Sequence, residues 1–557
     1  MKEKLLLLVV MTIFCANAIA QTRTITGKVT GSDDGIPIPG ASVQVKGTNA
    51  GTQTNVNGDY SISVSAEATT LLVKFIGYTD QEVPITVANQ INISLVPSTT
   101  ALTEVVVVAY GTVKKENFTG SAAVIKEDVF ANRPVTSFEK ALQGAAAGVE
   151  VSSVSGQPGA TSTVRIRGVG SFSASSSPLY VVDGIAITDG DLSQVAQTSD
   201  VLSSLNPNDI ASVTVLKDAT AAAIYGSRAG NGVVLITTKQ GQEGKTQFSV
   251  TGSGGYSSQA VKKFAVLNAS QYYKVFWDQF YNEEIADGTS PDAAALSANE
   301  RTNDELRANP YSAENPYLAN GVLANGARLL YDTDWRDAVQ QRGVTKDVNV
   351  SASGGNDKIK YFVSGGYFDQ KGIIIASDFK RYSAKFNVSN EVTDFLSVGI
   401  NNILARSDQN TPAGSTGASN PVQFGDATAN IYPLYELDEN GNPVLDAKGN
   451  PVYNYINPVT PDFNPVGLSK LDEYNTKTSR VITNPYATLK FLDGFTAKTS
   501  IGIDYINNRE RQFYNPEHGD GASVNGRGYR FSAEDLTVTF VNTLTYANTF
   551  GKHSINA

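Results

Sequence analysis

Residues suited to thiol, imidazole or soft-metal chemistry are nearly missing from this chain. Its 557 residues include one cysteine, two histidines, two methionines and two tryptophans. The cysteine, Cys15, lies in an apolar stretch near the start, and cleavage after Ala20 would leave none. Disulfides, thiol catalysis and Cys-ligated metals are then excluded. The histidines are His518 and His553, and neither H-E-x-x-H nor G-x-S-x-G occurs. A secreted enzyme of the common metalloprotease or serine-hydrolase kind therefore lacks its machinery. Charge is sparse as well: charged residues make up 18%, the net charge is -10, and no long basic run exists. A nucleic-acid footprint is absent. Beyond the first twenty residues no apolar stretch reaches the ~18 residues of a membrane-spanning helix.

What is present is apolar residues at 41%, with 25 Tyr, 23 Phe and 49 Gly. That balance favours β-structure and opposes disorder. The length implies several domains. Lys2 and Lys4, the apolar run from Leu5 to Phe14, and the small residues Ala18 and Ala20 read as a cleaved secretory signal over residues 1–20. Phe14 stands where lipoprotein cleavage before Cys15 would need a small residue. An exported chain of this composition is either soluble or a membrane barrel, whose alternating strands evade hydropathy.

Three regions follow. Residues 21–97 carry short alternating runs (Arg23 to Val29, Ala41 to Val45, Tyr60 to Val64, Leu71 to Ile76, Ile91 to Leu95) between turn clusters such as Gly31 to Gly35 and Asn55 to Gly58. Strands at that spacing predict a small β-sandwich. Residues 98–111 form a polar linker followed by Thr103, Glu104, Val105, Val106, Val107 and Val108. Four consecutive valines favour extended backbone. The segment is either one more buried strand or an unpaired strand offered to a partner's sheet edge. Residues 112–241 mix both periods. A capping box at Thr136 and Glu139 predicts a short helix ended by Gly144. Strands are expected at Val149 to Val151, Val164 to Arg167, Leu179 to Val182, Ser212 to Leu216 and Gly232 to Thr238. Asp218 should cap a helix reaching about Tyr225. Gly226, Gly230 and Gly232 follow that helix instead of preceding it, so they cap and turn the chain and do not cradle a phosphate.

Several segments in this order carry a resemblance. Ile25 to Val29, Pro39-Gly40-Ala41 and Asn57 to Tyr60 are similar to the carboxypeptidase-regulatory-like domain, which implies a fold and no enzyme activity. Asn117 to Ser121, Thr163 to Gly168, Pro178 to Gly184, Leu205 to Ile210 and Val215 to Val234 resemble the plug of TonB-dependent SusC/RagA receptors. The plug-motif residues so marked are Arg165, Arg167, Gly168, Asp183, Gly184, Lys217, Asp218, Tyr225, Gly226, Arg228 and Gly232. By the same resemblance Thr103 to Val108 is a TonB-box-like segment, because such a segment belongs just upstream of a plug.

Residues 242–557 become period-two. Phe495, Ala497, Ile501, Ile503 and Tyr505 alternate with Thr496, Lys498, Ser500, Gly502 and Asp504, and five further stretches behave similarly. About ten residues with one apolar and one polar face suit a barrel strand. A soluble β-protein gives the same local pattern, so the connections decide. Short turns (Gly354 to Asp357, Thr393-Asp394, Asp493-Gly494, Phe550 to Lys552) alternate with longer connections at about 257–343, 371–378, 407–477 and 508–535. Outer-membrane barrels keep that parity. The repeated Asp438 to Val444 and Asp446 to Val452 put Pro443 where an EF-hand needs glycine and Gly449 where it needs glutamate, so a twice-used hairpin turn is expected. Ser270 to Glu284 predicts a helix within the first long loop.

The expected architecture is mainly β: an N-terminal β-sandwich, an α+β plug, then about eight to nine strands of an incomplete antiparallel transmembrane β-barrel. Plugged transporters have about 22 strands, so the chain is expected to be a fragment or a truncated product. The resemblance implies import across a Gram-negative outer membrane. The partners it implies are TonB with its inner-membrane energising complex, a SusD-like surface lipoprotein, an oligosaccharide or peptide ligand and the lipid bilayer. It implies no cofactor, metal or catalytic residue and leaves the ligand contacts unknown. A binding-only receptor or adhesin, or a non-functional truncated receptor, is the alternative.

Overall fold

The computed structural model describes residues 22–557 except 33–34, 49, 76–77, 97–104, 109–110, 115–120, 132–134, 171–174, 195–198, 219–221, 262–263, 415–416, 457–459 and 552. The signal segment, Thr103 and Glu104 lie outside the described residues. The chain divides into two compact units, Met1–Val105 with Lys114–Phe118, and Val106–Val113 with Thr119–Ala557.

The first unit holds β1 (Thr22–Gly31), β2 (Ser42–Val45), β3 (Gly51–Gln53), β4 (Asp59–Ser65), β5 (Thr70–Lys74), β6 (Gln81–Pro84) and β7 (Ile93–Leu95). They form two sheets, ordered β4-β1-β7 and β3-β2-β5-β6. Alternation sets the inner face: Tyr60, Ile62 and Val64 of β4 are buried, and they share one apolar core with Ile25, Val43, Leu71 and Val73. Burying each such side chain is worth about 1.5–3 kcal/mol. Strands β3 and β6 escape the sequence reading because each is short and carries at most one large apolar side chain.

Next come β8 (Val105–Val108) and β9 (Gly111–Lys114), paired as a two-stranded sheet. The valine run is therefore extended, as its composition dictates, but its backbone is paired within the chain.

The plug contributes β10 (Ala122–Lys126), β11 (Val149–Ser153), β12 (Ser162–Ile166), β13 (Leu179–Val182), β14 (Ile185–Ala186), β15 (Ile210–Leu216) and β16 (Val233–Thr238). Five of them make a mixed sheet ordered β10-β15-β16-β13-β14, with β13 and β16 parallel, while β11 and β12 form a separate hairpin. All four residues of β13 are buried, as expected of a strand covered on both faces. The helix Phe138–Leu142 has Ser137 at its N-cap with no side-chain cap bond, so the expected Thr136–Glu139 capping box does not form. Burial wins over capping here: Glu139 turns inward and is 1% exposed. Of the expected helix from Asp218 to about Tyr225, residues 219–221 lie outside the described residues, and the Ala222 N–H donates to the Asp218 carbonyl at 3.1 Å, one helical turn back. Residues Ala223–Ala229 are 3-10 helical and broken at Gly226, whose φ of 67° and ψ of -154° are non-helical. Gly226 thus ends the helical piece that reaches Tyr225, as its place in the sequence predicts, and a second short 3-10 piece follows it.

The largest sheet has nine strands in sequential order: β17 (Gly244–Ser257), β18 (Gly343–Gly355), β19 (Ile359–Lys371), β20 (Asp378–Thr393), β21 (Leu396–Asn410), β22 (Glu473–Phe491), β23 (Phe495–Tyr514), β24 (Arg527–Phe550) and β25 (His553–Asn556). Every neighbouring pair is antiparallel. Short turns at 356–358, 394–395, 492–494 and at Gly551 alternate with the longer connections 258–342, 372–377, 411–472 and 515–526. The strands outgrow the sequence expectation of about ten residues, with β22, β23 and β24 running 19, 20 and 24 residues. Alternation fades near the long connections, where a strand such as β24 begins Arg527-Gly528-Tyr529-Arg530.

In the first long connection the helix Ala269–Ala286 carries a capping box between Asn268 and Gln271. It packs Tyr273 and Trp277 against Tyr311 and Tyr317. A second helix, Pro291–Leu306, was not anticipated, although Pro291 in its first turn is a start signal. The repeated segment in 411–472 is a hairpin turn used twice. The Asp438 carboxylate accepts the Asn440 and Asn442 N–H groups at 2.9 and 2.8 Å, and Asp446 does the same for Lys448 and Asn450 at 2.8 Å each. These amides hold both carboxyls below the usual carboxylate range.

Candidate functional site

Strands β20 to β23 bury mostly polar residues, the reverse of the pattern in a soluble protein. In β20, Arg381, Ser383, Lys385 and Asn387 are buried, while Tyr382, Phe386 and Val388 are exposed. In β24, Leu536, Val538, Phe540 and Leu544 are 61–65% exposed, and the threonines between them face the other way. Charged residues are almost never fully buried without partners, and apolar residues normally fill the core. A sheet whose hidden face is polar and whose open face is apolar suits a wall between hydrocarbon and a polar interior.

The hidden face is occupied by the plug. Ile403 of β21 and Ile482 of β22 join the plug's own core. A Cβ at Gly502 of β23 would stand 2.6 Å from the Ile185 side chain, so β14 approaches the wall where only glycine leaves room. Most other contacts run from wall side chains to plug main chain. Arg381 donates to the carbonyls of Thr136, Ser203 and Leu205 at 2.7, 3.0 and 3.2 Å. Asn387 donates to the Lys239 carbonyl at 2.8 Å, Lys385 donates to the same oxygen, and Gln409 donates to Pro158 at 2.8 Å. Arg480 Nε and Nη2 donate to the two Asp504 oxygens at 2.9 and 2.7 Å, with both side chains at 0–1% exposure. The same guanidinium donates to the carbonyls of Val201 and Thr188 at 3.0 and 2.8 Å, and Asp504 accepts the Thr188 N–H at 3.0 Å. Bidentate geometry with further hydrogen bonds is what lets such a pair lie buried. Removing one partner of a buried pair costs about 3–5 kcal/mol.

Behind this interface the plug hides its own acids. Burial pushes the Glu139 carboxyl up to about 7 and raises Asp200 well above its ordinary value, with the Glu139 charge adding to the latter. Glu139 Oε2 and Asp200 Oδ2 have no hydrogen-bond partner among the described residues. Burial likewise lowers the neighbouring Lys140. Two carboxyls with unmet oxygens in a dry site favour the protonated form.

The residues marked by the sequence fall into separate structural jobs. Arg165 lies on β12 opposite Glu150. Arg167 and Gly168 turn the chain at positive φ, and the Arg167 N–H donates to Gly148 at 3.0 Å. Asp183 and Gly184, at φ 47° and 88°, form the two-residue link between β13 and β14, a geometry that asks for Asp-Gly. The Asp183 carboxylate also accepts the Thr238 N–H and hydroxyl at 2.9 and 2.6 Å, tying β13 to the end of β16. Lys217 donates to the Ala147 carbonyl at 2.6 Å, and Asp218 accepts the Ser121 N–H at 2.5 Å. Gly232, at φ 90°, passes its carbonyl to the Leu179 N–H at 3.0 Å. Tyr225 is half-buried, and Gly226 and Arg228 are exposed on the broken 3-10 segment. These residues build the plug and do not converge on one point. The wall residues Arg381, Lys385, Asn387, Arg480 and Asp504 were missed. Their signal was available: charged or amide residues in mid-strand on the polar face.

Above the wall, a cavity of about 420 Å³ lies between the first and third long connections, with Phe264, Asp332, Arg336, Gln340, Asp426 and Asn430 in its lining. Arg336 spans it, stacking its guanidinium over Phe264 and approaching Asp426 at 3.2 Å.

Comparison with known proteins agrees with this geometry. Residues 114–233 match the TonB-dependent Receptor Plug Domain, and residues 25–107 match the CarboxypepD_reg-like domain. The TonB-dependent receptor SusC of Bacteroides thetaiotaomicron is 34% identical over 92% of this chain and 47% of its own length. The TonB-dependent receptor P3 of Formosa agariphila is 32% identical over 96% of this chain and 47% of its own. Among solved structures, the RagAB peptide importer in its open-open state superposes with a TM-score of 0.60 at 26% identity, over 81% of this chain and 47% of that one. The chain spans about half the length of the curated relatives it matches.

Proposed function

On the premise that this chain belongs with the TonB-dependent receptors of SusC/RagA type, we propose that it supplies the plug and part of the barrel wall of an outer-membrane nutrient importer. The observation that supports this best is the inverted wall, with buried Arg381, Lys385 and Asn387 against the plug and exposed Tyr382, Phe386 and Val388 outside. Lipid then meets the apolar face, and the plug closes the polar interior. No bond is made or broken, so the work is binding followed by displacement of plug structure. TonB, energised from the inner membrane, engages Thr103 to Val108 upstream of the plug; Val105–Val108 is already extended. A SusD-like lipoprotein covers the outer face, and the cargo is an oligosaccharide or a peptide.

The test is uptake in cells carrying the receptor as its locus encodes it, with labelled oligosaccharide and peptide pools as probes. Deleting 103–108 should abolish accumulation inside the cell and leave surface binding intact. Equal accumulation with and without that segment would leave a binding-only receptor as the better account.

A further inference from the structure

We infer that Arg480 and Asp504 form a clasp that positions the plug residues Thr188 and Val201 to Leu205 against the wall and can release them without breaking a salt bridge; this rests on the import reading above. The clasp is charged, but its ion pair lies wholly within the wall, between neighbouring strands β22 and β23. Toward the plug it presents hydrogen bonds to main chain only: the Thr188 carbonyl and N–H and the Val201 carbonyl. Val201 opens the 3-10 turn Val201–Ser204, and Arg381 holds the far end through the Ser203 and Leu205 carbonyls. That turn is buried along its whole length.

This division of labour has a physical consequence. A salt bridge from plug to wall would strand two buried charges each time the plug moved, which is strongly unfavourable. Here Arg480 and Asp504 keep each other when the segment leaves, and water can replace main-chain partners one for one. The grip is firm at rest and reversible under force. Arg480 and Asp504 are positioning residues and need not touch cargo.

The experiment places a reporter cysteine at Ser204, which is 1% exposed, in a receptor whose other cysteines are replaced by serine. Intact cells are then treated with a membrane-impermeant maleimide. The double variant Arg480→Leu/Asp504→Leu removes the clasp and leaves no stranded charge. It should raise the labelling rate at least about tenfold, with or without TonB, while the heat-modifiable folded-barrel band stays at its normal level. Arg480→Lys, which keeps the charge, should restore most of the protection. Unchanged labelling in a folded double variant overturns the clasp. Loss of the folded band in both the double variant and Asp504→Asn also overturns it, because the pair would then be a requirement of wall assembly. Failure of the import reading looks different: no TonB-dependent uptake in any form, whatever the labelling shows.

Discussion

The sandwich of the first unit and the nine-stranded wall are written in the same alternating pattern, yet they hide opposite halves of it. In β4 the buried residues are Tyr60, Ile62 and Val64, and serines face water. In β20 the buried residues are Phe379, Arg381, Ser383, Lys385 and Asn387, all but the first polar, and Tyr382, Phe386 and Val388 face out. A strand of period two therefore does not say which face is the inside. In the sandwich the hydrophobic effect closes two sheets on each other. In the wall, the plug holds the mostly polar face, largely by hydrogen bonds, and the apolar face stays exposed, an arrangement suited to lipid.

The contrast is broken most severely by removing one half of the buried wall pair. Arg480→Ala leaves Asp504 uncompensated and should cost about 3–5 kcal/mol, read as a lower denaturant midpoint of the heat-modifiable barrel. Next in size, a charge on the outward face should act in the wall as a core defect acts in the sandwich. Val538→Arg should cost about 2–4 kcal/mol if it lies near the bilayer midplane, and Leu71→Ala in the first unit about 2–5 kcal/mol by leaving a cavity. The reciprocal substitutions sharpen the point: Val538→Ala should change wall assembly little, and a charge at Ser63, on the open face of β4, should change the sandwich little.

A smaller effect comes from acidity. The folded-state pKa of Glu139 is raised to about 7, so the plug holds a proton that the unfolded chain releases. Stability should then fall as pH rises from about 4.5 through 7 and level off above. Glu139→Gln should flatten that dependence, as measured by plug unfolding at pH 5 and pH 8. Smallest of all, Asp446→Ala should loosen one exposed hairpin, visible as faster amide exchange at Lys448 and Asn450, and leave the wall unaltered.

Much of this architecture was legible because it is written in connections. The parity of short and long links placed the strands from β17 to β25, and the plug segments lay in a recognisable order. Elements were lost where local signals were weak or overridden. Strands β3 and β6 are too short to show alternation, and burial of Glu139 defeats the capping box its position suggests. The clasp was hidden for another reason: Arg480 and Asp504 lie 24 residues apart, and only antiparallel pairing of β22 with β23 brings them together. Their presence on the polar face was readable, and their partnership was not.

The central claim is that one face of the wall meets lipid and the other meets the plug. It is tested most directly by spin labels placed one at a time along 536–544 in the receptor assembled in outer membranes, with collision rates measured for oxygen and for a water-soluble nickel chelate. The account predicts high oxygen and low nickel collision at 536, 538, 540 and 544, and the reverse, or protection from both, at 537, 539 and 543. Uniform access of nickel to all positions, or alternation in the opposite phase, would contradict it.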